Sequence, residues 1–129
     1  NVTGGTVFLP KGVYVILTTL TFKSGWVSLV GDGEGATVIK SQVAAGTSAI
    51  TTATVDNVYS YNRVSKMSIR METAGTNGIR YDHCQAAEFE DLSMELYAAN
   101  QVGFYGKGNG FGSAPYYNVF NNIFEKHQL

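Results

Sequence analysis

The sequence predicts an all-β domain wound as a solenoid, in which short strands stack in parallel from one turn of chain to the next. Three observations carry this. Apolar positions recur at an offset of 25 residues, and turn residues separate short runs rich in Val, Ile, Thr, Tyr and Phe. No stretch shows the 3.6-residue apolar period of an amphipathic helix. The 129 residues, with fifteen glycines against two prolines, suffice for one such domain and not for two.

The repeat is read by setting Val64-Ser65-Lys66-Met67-Ser68-Ile69-Arg70-Met71 over Phe89-Glu90-Asp91-Leu92-Ser93-Met94-Glu95-Leu96, where every apolar position meets an apolar position. The register continues, with Gly78-Ile79-Arg80-Tyr81 falling on Gly103-Phe104-Tyr105-Gly106. A third copy, Phe120-Asn121-Asn122-Ile123-Phe124, lies 31 residues beyond Phe89, the extra six falling within Gly106–Pro115. No copy buries its apolar face alone, so stacking at about 4.8 Å builds the core. The expected inward columns are Val64/Phe89/Phe120, Met67/Leu92/Ile123 and Ile79/Phe104. Outward, Lys66 is expected beside Asp91, and Arg70 beside Glu95 and then Lys126, opposite charges in register favouring the stack. Glu125 falls on the column of Ile69 and Met94, so either the strand stops there or the register shifts.

Earlier in the chain, Thr6–Leu9, Val13–Leu17, Leu20–Phe22, Val27–Val30 and Thr37–Ile39 read as strands. Pro10-Lys11-Gly12, Ser24-Gly25 and Gly31-Asp32-Gly33-Glu34-Gly35 read as the turns between them. Residues 42–54 read as a loop or a further coil. Gly31–Ala36 matches the G-x-G-x-x-G/A dinucleotide pattern, but Thr37-Val38-Ile39 continues as strand where a helix N-terminus must hold the pyrophosphate, so a turn is expected.

Other classes are excluded or weakened. Net charge is −1 with nine scattered basic residues, unlike a nucleic-acid surface. No apolar run reaches the roughly 18 residues of a membrane span. Cys84 is the one cysteine, leaving no internal disulfide and no cysteine-based zinc site, and it reads as a small buried hydrophobe. The neighbouring His83 points to the opposite strand face and would not activate it. No cofactor and no metal site is expected. Asn1-Val2-Thr3 fits a glycosylation sequon, and the start lacks the regions of a signal peptide.

Gly4-Gly5-Thr6-Val7-Phe8-Leu9-Pro10-Lys11-Gly12-Val13-Tyr14 resembles the opening coil of the pectate-lyase superfamily. Val27–Gly33 followed by Thr37-Val38-Ile39 is similar to that family's next block. Ala114-Pro115-Tyr116-Tyr117-Asn118-Val119-Phe120 resembles a segment of bacteriophage tailspikes and tail-associated depolymerases. The resemblance spans nearly the whole chain. It implies a right-handed parallel β-helix of the pectin-lyase-like kind, roughly five coils over residues 1–129. With a strand running almost to Leu129 and nothing to cover it, the chain is expected to be part of a longer protein. The resemblance further implies a homotrimer on the virion that takes a bacterial surface polysaccharide as partner. Such folds host lyases, hydrolases and inactive binders alike, so enzymatic activity stays open, with an active site partly or wholly outside these coils. The Asn-Thr-Asp, Asp-Asp and Arg-Ile-Lys signatures of polygalacturonase-like enzymes are absent, as is an acidic cluster like the calcium site of pectate lyases.

Glycoside hydrolysis asks for two carboxylates about 5–5.5 Å apart for retention or about 6.5–9.5 Å for inversion. Glu88 and Glu90, two apart on a strand, are about 6.6 Å apart and fit inversion by spacing. Asp91 and Glu95, about 13 Å apart, read instead as partners of Lys66 and Arg70. A second outward patch sets Arg80 and Asp82 against Tyr105 and Lys107 of the next coil. Asp82 is a further catalytic candidate, while Arg80, Tyr105 and Lys107 suit a sugar with anionic substituents. Phe111, Tyr116 and Tyr117, with Tyr105, surround a glycine-rich loop and either stack on sugar or cover the coil edge. Two rivals to the tailspike reading are a secreted polysaccharide lyase or hydrolase and a non-catalytic adhesive or structural β-helix.

Overall fold

A computed structural model of the chain describes residues 4–52, 60–82, 85–107 and 118–127. Among them lie eleven strands and no helix: β1 (Gly5–Leu9), β2 (Gly12–Ile16), β3 (Leu20–Thr21), β4 (Val27–Gly31), β5 (Thr37–Ser41), β6 (Ser48–Thr51), β7 (Arg63–Met71), β8 (Asn77–Arg80), β9 (Glu88–Leu96), β10 (Val102–Tyr105) and β11 (Val119–His127). Every pairing is parallel, and paired residues stand between 22 positions (Gly5 and Val27) and 35 positions (Ser28 and Arg63) apart. A parallel pair needs a long connection, and here the chain passes through the other sheet before it returns to pair. The first sheet climbs through β7, β9 and β11, while below β7 its first half rests on β4 and β1 and its second half on β5 and β2. The second sheet runs β3, β6, β8, β10. This is the all-β, parallel-stranded architecture expected from the repeat. Residues 42–54, open between loop and coil in the sequence, contribute β6 to the second sheet.

The anticipated columns form. Val64 pairs with Phe89 and Phe89 with Phe120; Met67 pairs with Leu92 and Leu92 with Ile123; Ile79 pairs with Phe104. Val64, Met67, Ile69, Met71, Ile79, Phe89, Leu92 and Met94 are fully buried. Val64 and Met67 are three residues apart, yet both face inward, which strict alternation forbids. Lys66, Asp91 and Asn122 resolve this by taking left-handed conformations (φ 60°, 51° and 52°), each breaking its strand at the same position along the strand and resetting the alternation. Such a conformation costs an L-residue roughly 1–2 kcal/mol, least for Asn and Asp. The Asn122 side-chain amide donates to Asp91 Oδ1 across 2.8 Å. Two further left-handed columns mark other corners: Trp26/Tyr61/Ala86 (φ 61°, 49°, 56°) and Gly46/Gly75/Asn100 (φ 81°, 69°, 57°).

At one corner Phe89 gathers Tyr81, Phe104 and Phe120, with ring centroids 5.2–5.6 Å away. Gly78 stands where a Cβ would collide with the Gly103 carbonyl and the Met94 side chain, so only glycine lets the two levels approach. Between β1, β3 and β4 the interior opens as an apolar cleft of about 300 Å³ lined by Leu9, Leu20, Phe22, Val27 and Leu29 among others.

The outward charge ladder forms in part. Arg70 Nε donates to Glu95 Oε2 (2.7 Å), with Lys126 in register above and Lys40 below. Lys40 reaches Glu72 (3.3 Å), which also accepts from the Gln42 amide (2.8 Å), and Arg70 lies 5.2 Å from the Tyr97 ring centroid. Lys66 and Asp91 stand at matching positions of neighbouring strands, but no ion pair joins them; Asp91 takes Asn122 instead. β11 runs through Glu125 without stopping or slipping, so Glu125 stands in register with Met94, and His127 Nε2 lies 2.9 Å from its carboxylate. The Gly31–Ala36 segment is the anticipated turn: the Ala36 and Thr37 amides donate to the Gly33 carbonyl, and β5 follows at once.

Phe89→Ala is expected to lower unfolding free energy by about 3–5 kcal/mol in urea titration, whereas Phe124→Ala, on the exposed side of the same sheet, stays within about 0.5 kcal/mol. The Glu72 carboxyl is held below the usual carboxylate range, chiefly by the Gln42 hydrogen bond, then by Lys40 and Arg70, against a burial penalty. Its stabilising contribution is therefore present above the unfolded value near 4.3 (about the reference for Glu) and disappears as pH falls through the lower folded value. Glu72→Gln is expected to flatten that part of the acid limb in melting curves taken from pH 7 to pH 3.

Candidate functional site

At successive levels the chain passes from the second sheet back to the first between β3 and β4, β6 and β7, β8 and β9, and β10 and β11. Parallel stacking places the described ends of these connections, 22–26, 60–62, 81–82, 85–87 and 106–107, along one edge of the stack. Loops held on a rigid scaffold can present polar groups without loss of core packing. Most of the residues singled out from the sequence lie on this edge or in the strands that flank it.

Arg80 ends β8 and pairs in register with Tyr105 at the end of β10. Its guanidinium carbon sits 5.5 Å from the Tyr105 ring centroid, a cation–π distance. Arg80 Nε and Nη2 both reach Asp82 Oδ2 at 2.5 Å. The Asp82 side chain is 7% exposed, and its Oδ1 is buried with no hydrogen-bond partner among the described residues. Between them Tyr81 turns inward, where its ring lies against Phe89 and Phe120 and leaves room only for glycine at 106. Burial pushes the Tyr81 phenol above its ordinary range. Lys107 is exposed just beyond Tyr105, so this patch carries two cations to one carboxylate. Tyr116 and Tyr117 lie outside the described residues, as do Phe111, His83 and Cys84.

Glu88 and Glu90 open β9 and are joined through one arginine. Arg63 pairs in register with Glu88; its Nη2 reaches Glu90 Oε2 at 2.5 Å, and its Nε stands 3.9 Å from Glu88 Oε2. The Glu90 hydrogen bond raises the Arg63 pKa, against a desolvation penalty. Glu88, half exposed and beyond hydrogen-bond reach of Arg63 Nε, keeps acceptor capacity for another donor. Among the described residues no three of His, Cys, Asp or Glu gather closely enough to hold a metal ion.

The structure adds two residues that the sequence reading passes over. Trp26 and Tyr61, at the left-handed corner leading into β4 and β7, stack with centroids 4.2 Å apart and planes 23° from parallel. They remain 59% and 42% exposed, an arrangement that leaves large aromatic surface in water. With Ser28, Arg63, Ala86 and Glu88 they line an open groove of about 210 Å³. The available signal was the sole tryptophan of the chain, two residues before Ser28. The 35-residue offset that sets Trp26 under Tyr61 departs from the 25-residue repeat, which hides it.

A family model described as rhamnogalacturonase A/epimerase, pectate lyase-like matches residues 1–127. Among solved structures the chain is similar to ORF18 of Geobacillus virus E2, with a TM-score of 0.64 and 20% identity, over 95% of this chain and 28% of that one. The present chain thus spans about 28% of that protein's length, and at this identity the likeness speaks to fold alone. Comparison with curated proteins gives no match. Parallel strands in two sheets, successive levels held in register and a family match over almost every residue agree: the chain belongs to the rhamnogalacturonase A/epimerase, pectate lyase-like family.

Proposed function

We propose that this chain is part of a right-handed parallel β-helix, of about five coils, in a phage tailspike or tail-fibre protein. Its turn edge binds a bacterial surface polysaccharide. The observation that carries this reading is the convergence of Trp26, Tyr61 and Tyr105 with Arg63, Arg80 and Glu88 along one edge, aromatic faces interleaved with charge. A pyranose ring has an apolar face and a rim of hydroxyls, and such an edge offers both kinds of contact. Arg80 and Lys107 supply cations for acidic substituents, and Tyr105 supplies a ring beside them. The similarity to a phage protein supports placement on a virion, and the expected homotrimer follows from the tailspike reading.

Binding, more than bond cleavage, is the part assigned to these coils. Inverting hydrolysis needs one carboxyl kept protonated by an apolar pocket and a second, ionised carboxylate facing it across a water. Glu88 is half exposed and Glu90 is hydrogen-bonded to Arg63, which stands between them as an ion triad. Asp82 is engaged by Arg80. Cleavage is assigned to the remainder of the whole protein. The family's description, which names a rhamnogalacturonase and an epimerase, favours a second reading as a secreted polysaccharide-acting enzyme.

The test uses the full-length parent protein on purified capsular and O-antigen polysaccharides, following binding, reducing ends and absorbance near the unsaturated-uronate band. Binding is expected, and Tyr105→Ala is expected to weaken it about tenfold. Reducing ends with new absorbance identify a lyase, and reducing ends alone a hydrolase. A protein that binds none of a broad panel, as a monomer, would contradict the proposal.

A further inference from the structure

The groove beside Trp26 and Tyr61 has two different walls. One is the left-handed column Trp26/Tyr61/Ala86, two rings followed by a methyl. The other is the in-register column Ser28/Arg63/Glu88 at the starts of β4, β7 and β9. Three levels at the strand spacing give the groove a length of about 10 Å. Ala86 interrupts the aromatic column, and the groove extends to its level.

The charge of the polar wall selects among sugars. Arg63 is the one cation there and faces both Glu90, at hydrogen-bond distance, and Glu88 at 3.9 Å. Among the described lining residues one cation, Arg63, stands against one carboxylate, Glu88, and Arg63 Nη2 is already engaged by Glu90 beside the groove, so the wall offers no net positive charge to an incoming uronate. A hydroxyl or an acetamido N–H is welcome, because the half-exposed Glu88 carboxylate accepts hydrogen bonds and Ser28 can exchange them. The aromatic wall takes the apolar face of the same ring.

We propose that this groove is a subsite for a neutral sugar ring, a hexose or N-acetylhexosamine, packed on Trp26 and Tyr61 and hydrogen-bonded by Glu88 and Ser28. This rests on the polysaccharide-binding reading and refines it. The cationic Arg80–Tyr105–Lys107 patch faces acidic substituents, whereas the groove offers them no net positive charge. A polymer with a mixed repeat engages both.

Trp26, the only tryptophan, reports on the groove directly. The full chain is titrated with neutral oligosaccharides (gluco-, galacto- and N-acetylglucosamine oligomers) and with oligogalacturonate of matched length, following tryptophan fluorescence and, in parallel, calorimetry. A neutral oligomer is expected to give a saturable fluorescence change that oligogalacturonate does not. Tyr61→Ala and Ala86→Phe, the latter filling the groove with a third ring, are each expected to weaken that response about tenfold, with urea midpoints confirming that both fold. A stronger fluorescence response to oligogalacturonate overturns the subsite, as does calorimetric binding that leaves Trp26 unmoved, though glycan binding as such then stands. Silence of both readouts with every sugar overturns the subsite and the glycan-binding reading together.

Discussion

The parallel backbone ladder that holds Val64 beside Phe89 and Phe89 beside Phe120 decides where every other side chain goes. Each level contributes too few apolar residues to bury a face of its own. Only register with the level below closes the core over Met67, Ile69, Leu92 and Met94. A slip of one residue would turn these side chains into water and bring Arg70 and Glu95 inside. The outward ladder of Lys40, Arg70, Glu72 and Glu95 therefore does more for specificity of register than for stability, since partly exposed pairs are individually weak.

The left-handed corners convert this ladder into a molecule with an edge. Lys66, Asp91 and Asn122 bend three successive strands at one position along their length, and Trp26, Tyr61 and Ala86 bend the chain as it enters the first sheet. Residues at such corners project away from the core, so the core does not fix their identity. At Trp26 and Tyr61 this leaves two rings stacked on each other and partly in solvent, and at Ala86 it leaves space. The same stacking that buries Phe89 thus lines up surface chemistry from different turns of chain. Arg63 and Glu88 sit 25 residues apart in sequence and side by side in space.

Much of this was legible in the sequence where the period is uniform. The 25-residue offset between β7 and β9 foretold their register and the Arg70–Glu95 pair, and it set Arg80 against Tyr105. Legibility fell where the period changes. The Gly31–Ala36 turn splits one long strand into β4 and β5, so the offset to β7 is 35 residues before the turn and 30 after it. No single shift aligns the two, and Trp26 is not seen to lie under Tyr61. Lys66 and Asp91 were expected to pair because strand alternation was assumed to be unbroken. Their left-handed backbone, for which neither residue carries a sequence signal as clear as glycine, sends the side chains elsewhere. Glu125 looked like a break in the strand by its polarity; β11 nonetheless keeps register, and the carboxylate is met by His127.

Hydrogen–deuterium exchange of the chain, with and without a bound surface polysaccharide, tests the placement of the binding edge most directly. New protection is predicted at residues 22–26, 60–63, 85–88 and 105–107, in the turns that return to the first sheet. Protection confined to the opposite charge ladder around Lys40, Arg70 and Glu95, with the turns unchanged, would contradict it.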